Sequence, residues 1–232
     1  MSKTKSLKKK TTGFDILYRV VTAIMAVAMF PLVFFMDILY IQVDHTAIAD
    51  IWGSLTSDKT PNLGSTYENL SIYELGDWVE TVKGFFGENS DSAGFFEIGA
   101  YRPLIAAIVF LGIALILGLV ILGFAAFSNK IKVIMGLSGG GILASIISYF
   151  CFTEGFAAPI IRGDVTLSNL FGQGGNVTVE LILSAVGEVS ALALKGGFFA
   201  VLLLMLGILL WSISVYIVNA GEEKEKQMKK AK

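Results

Sequence analysis

The sequence predicts an all-α integral membrane protein, a four-transmembrane-helix bundle with a small extracytoplasmic cap. Three observations support this prediction. The chain is 54% hydrophobic and 16% charged, with a mean hydropathy of +0.71, whereas soluble domains contain about 25% charged residues. Four windows are long and apolar enough to cross a hydrocarbon core about 30 Å thick. Most basic residues fall in the segments that four spans would place on the same side of the membrane, as they do in membrane proteins of fixed orientation.

The predicted spans are residues 16–36, 104–127, 133–152 and 198–218. The last three contain no Asp, Glu, Lys or Arg, and the first contains Arg19 near its start, where a long side chain can reach the headgroups. Helices are expected because lipid offers the backbone no hydrogen bonds and no alternating strand pattern is present. The connecting segments are two tails, an inner turn and two outer segments: residues 1–15, 37–103, 128–132, 153–197 and 219–232.

Charge predicts that both termini lie in the cytoplasm and that the chain spans the cell membrane. The two tails, the inner turn and the start of the first span carry thirteen of the eighteen basic residues but only four of the nineteen acidic ones. Because positively charged segments stay inside, the acidic segments face outward. A signal peptide cleaved near residues 47–49 is the alternative, but the apolar run is longer than the roughly 7–15 residues typical of such peptides.

The first outer segment is expected to contain a helix. Ser71-Ile72-Tyr73-Glu74 matches a capping box, in which a serine and a glutamate satisfy each other's backbone amides. Apolar residues recur at helical spacing beyond it, which predicts an amphipathic helix over residues 71–86. Asn69 and Asn176 match the N-glycosylation sequon on the predicted outer side, although the Lys-rich, Cys-poor composition argues against their modification.

A second outer helix is predicted over residues 177–194. Glu180 and Glu188 fall at helical spacing on one charged stripe of this segment, with apolar residues elsewhere around it. The stripe is interpreted as the solvent-exposed face of a surface helix or, alternatively, as the lining of an aqueous vestibule. We expect the helix to bend or end at the glycine pair 196–197 before the fourth span.

The two halves of the chain resemble one another, because each consists of a span, an outer segment and a second span. Leu111-Gly112-Ile113 in the second span matches Leu206-Gly207-Ile208 in the fourth. This pattern predicts a two-plus-two parallel repeat with a two-fold axis along the membrane normal.

The third span contains the candidate site residues. Gly136, Gly140 and Ala144 have a GxxxG-type spacing, in which small residues let two helix backbones approach closely. A second, polar stripe lies on another side of the same helix and consists of Ser138, Gly141, Ser145 and Ser148. This stripe either lines a pore together with Glu180 and Glu188, or its hydroxyls donate hydrogen bonds across a tight helix interface or back to carbonyls of their own helix. Small residues cover most of the helix circumference, which favours close packing.

Few residues are available for catalysis or metal binding. The single His45 and the single Cys151 exclude a disulfide framework, a Cys-rich zinc site and most His-based chemistry. No ionisable side chain lies deep inside a span, which argues against a proton-coupled transporter. The outer carboxylates lack the spacing of a calcium loop. We therefore expect no enzyme activity, cofactor or metal, and no nucleic-acid partner.

The layout resembles that of the claudin-like tetraspans: four helices, inner termini, a larger first outer segment and a smaller second one. The resemblance is one of topology, because the Gly-Leu-Trp signature followed by two cysteines is absent. The chain also resembles small, uncharacterised four-span proteins of Gram-positive bacteria, which carry Leu-Ser and Phe-Gly outer pairs before a Gly-rich last span. Both resemblances imply architecture and a membrane location without implying an activity.

The expected function is assembly within the lipid bilayer. We expect a scaffold or accessory subunit whose acidic outer cap and small-residue helix faces bind a second copy or another membrane protein. The alternative is an oligomeric, cation-preferring channel, because an acidic mouth concentrates cations.

Overall fold

The computed structural model describes residues 13–44, 65–74, 102–128, 130–165 and 188–231. The four long helices within these residues are α1 (Gly13–Phe35), α2 (Arg102–Phe127), α3 (Ile131–Phe150) and α4 (Gly196–Ala231). Each is long and apolar enough to cross a membrane. The predicted fold class, a four-transmembrane-helix bundle with a small cap, is confirmed.

The helices form a four-sided ring. Helix α2 packs against α1 and α3, and α4 packs against the same two helices. The connection between α2 and α3 is so short that these two helices are antiparallel neighbours. The ring therefore has two ends. We call the end with Arg19, Lys130 and Lys132 the basic end and the opposite end, with the strands, the cap end.

A three-stranded antiparallel sheet forms the described part of the cap. Its strands are β1 (Leu39–Asp44), β2 (Ser65–Leu70) and β3 (Glu188–Leu194), in the order β2-β1-β3. β1 follows α1 and β3 precedes α4, so the sheet joins the first outer segment to the second. The central strand finds both of its partners far away in the chain, which makes the sheet a non-local structure.

Backbone hydrogen bonds fasten the sheet to the ends of two helices. The N–H of Lys195 donates to the Ile38 carbonyl over 2.8 Å, and the N–H of Gly197 donates to the Asp37 carbonyl over 2.9 Å. A Cβ at Gly197 would lie 3.0 Å from the carbonyl oxygen of Met36. Position 197 therefore favours glycine, because α4 starts in direct contact with the backbone that leaves α1.

The predicted outer helix over residues 177–194 is wrong for the seven residues that form β3. The earlier part of that segment lies outside the described residues. The apolar side chains that suggested a helix serve a strand instead: Leu192 and Leu194 pack against Ala107 and Phe152. Since α4 starts at Gly196, the expected break at the glycine pair is present as a change from strand to helix.

The third helical rod is longer than its predicted span. After α3 the chain continues as a π-helical segment, Cys151–Ala157, and a last α-helical turn, Ala158–Ile161. Together these residues form the α3 extension. The rings of Phe152 and Phe156 lie 5.9 Å apart, and both side chains belong to apolar clusters that also contain residues of β3. The extension therefore packs against the side of β3 that faces the bundle end and helps to hold the cap in place.

The two halves correspond in their helices but not in the described parts of their outer segments. Around the ring α1 lies opposite α3 and α2 opposite α4, as a two-fold axis along the bundle requires. However, α1 is followed by a strand, whereas α3 is followed by its helical extension. The predicted repeat is therefore compatible with the order of the helices in the ring, whereas the starts of the two outer segments do not follow it.

The capping box at Ser71 is confirmed, and residues 72–74 are helical. The backbone N–H and the hydroxyl of Ser71 each donate to one carboxylate oxygen of Glu74 over 2.8 Å, and the N–H of Glu74 donates back to the Ser71 hydroxyl over 3.3 Å. These bonds favour the ionised carboxylate, so the pKa of Glu74 lies below its ordinary value of 4.5. The rest of the predicted helix over residues 71–86 lies outside the described residues.

The capping box should lose its contribution to stability in acid. Because the pKa of Glu74 is lower in the folded chain, the contribution is complete above the unfolded value of 4.5 and disappears as pH falls through the folded pKa. A carboxyl-carbon NMR titration should give a Glu74 midpoint below 4.5. In Ser71→Ala the midpoint should rise only part of the way, because the backbone N–H still donates. A wild-type midpoint at or above 4.5 would contradict the geometry.

Candidate functional site

The polar stripe of α3, which we call the serine face, lies inside the bundle. The Ser145 hydroxyl donates to the Gly141 carbonyl over 2.9 Å, and the Ser138 hydroxyl donates to the Met135 carbonyl over 3.1 Å. The Ser148 hydroxyl donates across the helix interface to a carbonyl of α2, that of Ala107, over 2.7 Å. All three serines are buried. Two of these hydroxyls thus bond within α3, the third bonds to α2, and all three are shielded from water.

The residues with GxxxG spacing are divided between two surroundings. Ala144 is buried, and Gly140 faces the side chain of Leu117 on α2. Gly136 is exposed, and no atom lies within 4 Å of the position that a Cβ would take there. Among the described residues, Gly136 therefore makes no close contact with another element, in contrast to the other two residues of the motif.

Close packing inside the bundle involves glycines of α2 and α3 together with methionines of α1 and α4. A Cβ at Gly141 would lie 2.8 Å from both Sδ and Cε of Met205, and one at Gly118 would lie 2.9 Å from Cε of Met29. Both methionine side chains are fully buried. The two glycines thus provide the space that the long, flexible methionines fill.

The two acidic residues of the pore interpretation are not placed together on a helix. Glu188 is the first residue of β3, and Glu180 lies outside the described residues. The prediction of one helical stripe through both positions is therefore wrong at Glu188, because pairing with β1 fixes that segment as a strand.

A buried polar contact between α1 and α4 was not anticipated from the sequence. The hydroxyls of Tyr18 and Ser212 lie 2.9 Å apart, and both residues are fully buried. Asp15 and Thr22 lie on the same face of α1, one turn to either side. The helical spacing of these polar residues within an apolar span was the available signal, because lipid disfavours polar groups that face it.

Removal of this contact should loosen α1 from α4. We expect Tyr18→Phe and Ser212→Ala each to lower the free energy of unfolding by about 0.6–1.7 kcal/mol, the range found for hydrogen bonds between membrane helices. The double variant should lose little more than either single one, because both remove the same bond. Steric trapping in bicelles would measure these values. Ser214→Ala is the control, since Ser214 is exposed and bonds only within its own helix. Fully additive losses would show that the two hydroxyls do not interact.

The sequence predicts that Arg19 reaches towards the lipid headgroups. In the structure its guanidinium also caps the C-terminal end of a neighbouring helix. Its Nε donates to the Ala125 carbonyl over 2.7 Å, and its Nη2 donates to the Ala126 carbonyl. The last carbonyls of a helix have no partner in their own helix and carry partial negative charge. The guanidinium thus satisfies the end of α2 and joins α1 to it at the basic end.

No group of three or more metal-ligating side chains occurs in the described ranges of the chain. Compared with known protein families, curated proteins and solved structures, the chain has no match. The fold defines a multi-pass membrane protein with four helical spans, and any more specific function has to be argued from its surfaces.

Proposed function

We propose that the chain is a non-catalytic scaffold or accessory subunit that pairs with a second copy of itself through one face of α3. The observation that carries this proposal is a pair of glycines on α3, one exposed and one half-buried, with open space beside them. No atom lies within 4 Å of a Cβ position at Gly136 or at Gly139. Each glycine costs a helix about 1 kcal/mol relative to alanine, and no contact among the described residues explains that cost.

The exposed surface around these residues, here called the glycine face, suits the close approach of a second helix. It comprises Gly136, Gly139, Leu143 and Ile147, which recur at helical spacing on one side of α3. The leucine is 63% exposed and the isoleucine 41% exposed. Small residues let membrane helices approach until backbones touch, and the flanking aliphatic side chains then interdigitate. Since all copies have one orientation in the membrane, a two-fold axis along its normal brings the same face together.

The proposal includes the location and layout expected from the sequence. Both termini lie in the cytoplasm, the protein resides in the cell membrane, and the bilayer surrounds the remaining exposed apolar surface. A sheet shared by the two outer segments lies at the cap end of the four-helix bundle. It suits a cap that presents one surface rather than two independent loops.

The pore alternative is not favoured by the serine face. Ser138, Ser145 and Ser148 are buried and donate to carbonyls, so a conducting state would have to separate α3 from its neighbours. Planar-bilayer recordings of purified protein should accordingly be silent. Unit conductance that changes in Glu188→Gln would instead support the channel.

Disulfide trapping in native membranes tests the pairing. In a Cys151→Ser background, Gly136→Cys should form a covalent dimer under mild oxidation, because a disulfide requires Cα atoms within about 7 Å. Gly123→Cys is the control: no described atom lies within 4 Å of a Cβ position at Gly123 either, but this glycine is half-buried and lies on α2.

Bulk on the glycine face should weaken the dimer. We expect Gly136→Ile to raise the dissociation constant about tenfold, which corresponds to about 1.4 kcal/mol, in subunit-exchange measurements in lipid. Equal trapping of the two cysteine variants, or single-step photobleaching of the wild type in cell membranes, would contradict self-assembly. If a different protein is trapped at Gly136→Cys, the contact serves a partner and self-pairing is wrong.

A further inference from the structure

We infer that the basic end contains a binding site for the phosphate headgroup of an anionic phospholipid, in a cleft between the start of α3 and the last membrane turn of α4. This basic cleft has a volume of about 460 Å³. Its lining residues are Lys130, Ile131, Lys132, Val133, Tyr216, Asn219 and Ala220. The inference is independent of the proposed assembly function.

The charge of the cleft suits an anion. Two of its lining side chains are cationic, two are neutral hydrogen-bonding groups, and none of the lining residues is acidic. The Nζ of Lys132 lies 5.4 Å from the centroid of the Tyr216 ring. The ring thereby keeps the ammonium at the edge of the cleft through a cation–π contact.

The backbone adds further donors. Helix α3 begins at this point, and no side chain caps its first turn. The Lys130 carbonyl accepts hydrogen bonds from the N–H groups of Val133 and Ile134, over 3.0 and 3.2 Å. The N–H groups before them have no carbonyl one turn earlier in the helix, and the positive end of the helix dipole lies here. A phosphate in the cleft would meet these amides as well as the lysines.

The surroundings identify the anion as part of a lipid. Tyr216 and Val133 are 39% and 37% exposed, and Ile217 beside them is 64% exposed. In a chain that spans a membrane, this apolar surface faces acyl chains. A phospholipid can place its phosphate in the cleft and its chains along this surface, whereas a free phosphate ion gains nothing from it. Basic pockets between spans at the cytoplasmic surface are typical sites of anionic headgroups.

Native mass spectrometry of the full-length protein, titrated with dioleoylphosphatidylglycerol and dioleoylphosphatidylcholine, tests the site. The two lipids share their acyl chains and phosphate and differ in net charge. The wild type should bind the anionic lipid more tightly. Lys130→Gln combined with Lys132→Gln should weaken that binding about 30-fold, since each surface lysine contributes about 1 kcal/mol, and should leave phosphatidylcholine binding unchanged.

Lys195→Gln is the matched control. The Nζ of Lys195 also lies over a tyrosine ring, 4.8 Å from the centroid of Tyr40, but at the cap end. This variant should bind phosphatidylglycerol like the wild type. Should the double variant not fold, the wild type provides a second measurement, because its preference for phosphatidylglycerol should fall steeply as salt rises.

Four results would overturn the inference. The first is unchanged phosphatidylglycerol binding in the double variant, and the second is an equal loss in Lys195→Gln. The third is displacement of the lipid by millimolar inorganic phosphate, which would identify a site for free anions. A preference that is insensitive to salt would equally contradict a charged site.

Discussion

Met205→Ala is expected to lower the free energy of unfolding by about 2–3 kcal/mol, the lower part of the range for methionine truncation in protein cores. Met205 is fully buried, and its side chain fills the space left by Gly118 and Gly141. In a membrane the transfer of the side chain from solvent contributes little, because lipid is as apolar as the core. The loss therefore reports the packing contacts and the cavity that remains. Steric trapping in bicelles would measure it.

A double-mutant cycle with Gly141 separates this packing from general damage to α4. Gly141→Ala should be less favourable in the wild type than its helix propensity alone predicts, because its Cβ would lie 2.8 Å from Sδ and Cε of the buried Met205, whose side chain would have to shift. In the Met205→Ala background those atoms are absent, so the same substitution should be neutral or stabilising. Gly112→Ala is the control, since nothing lies within 4 Å of that position. A coupling energy near zero would show that the two residues do not share the space.

The spans could be predicted from the sequence because a lipid environment requires a continuous apolar stretch, and the hydropathy of such a stretch depends only on residues that are neighbours in the chain. The ends of the spans could not be predicted. α1 starts at Gly13 rather than at residue 16, and the third rod continues to Ile161 rather than residue 152. A helix stops where its backbone finds other partners, and those partners belong to the tertiary structure. Arg19 shows the same limitation: its position near a membrane surface was predictable, but its acceptors on α2 were not.

The sheet was missed for two different reasons. β1 contains Tyr40, Ile41 and Val43, which have high strand propensity. Its signal was present, but it directly follows the long apolar run of the first span and is hard to separate from it. β3 is rich in alanine and leucine, which favour helices, and its strand conformation follows from pairing with β1. That pairing joins Leu39 to Leu194, a contact that no local pattern encodes.

The two faces of α3 show what a spacing motif leaves open. The sequence correctly indicated that small residues cover most of the circumference of this helix. It did not indicate which of them face the neighbouring helices. The structure places the serine face inside and Gly136 outside, because α3 lies between α2 and α4 in the ring. Hydroxyls are acceptable inside when they find carbonyls, as Ser148 does on α2. The orientation of a small-residue stripe thus depends on the arrangement of all four helices.

Gly155→Ala is expected to destabilise the chain by about 1–3 kcal/mol, the usual cost of overpacking. A Cβ at Gly155 would lie 2.6 Å from Cβ and 3.2 Å from Cγ of Pro103, close to the start of α2. The proline ring is rigid and attached directly to the backbone, so one of the two segments has to move. Movement of the α3 extension would displace the apolar cluster under β3. We therefore expect faster proteolysis of the cap as well as lower stability.

The choice of rescuing substitution makes this last prediction specific. The closest approach is to Cβ of Pro103, an atom that alanine keeps and glycine lacks. Pro103→Gly should therefore restore much of the stability lost in Gly155→Ala, whereas Pro103→Ala should restore little. Each Pro103 variant in the wild-type background corrects for its own effect on α2. Wild-type stability in Gly155→Ala, or equal rescue by the two Pro103 variants, would mean that the extension does not pack on α2 at this point.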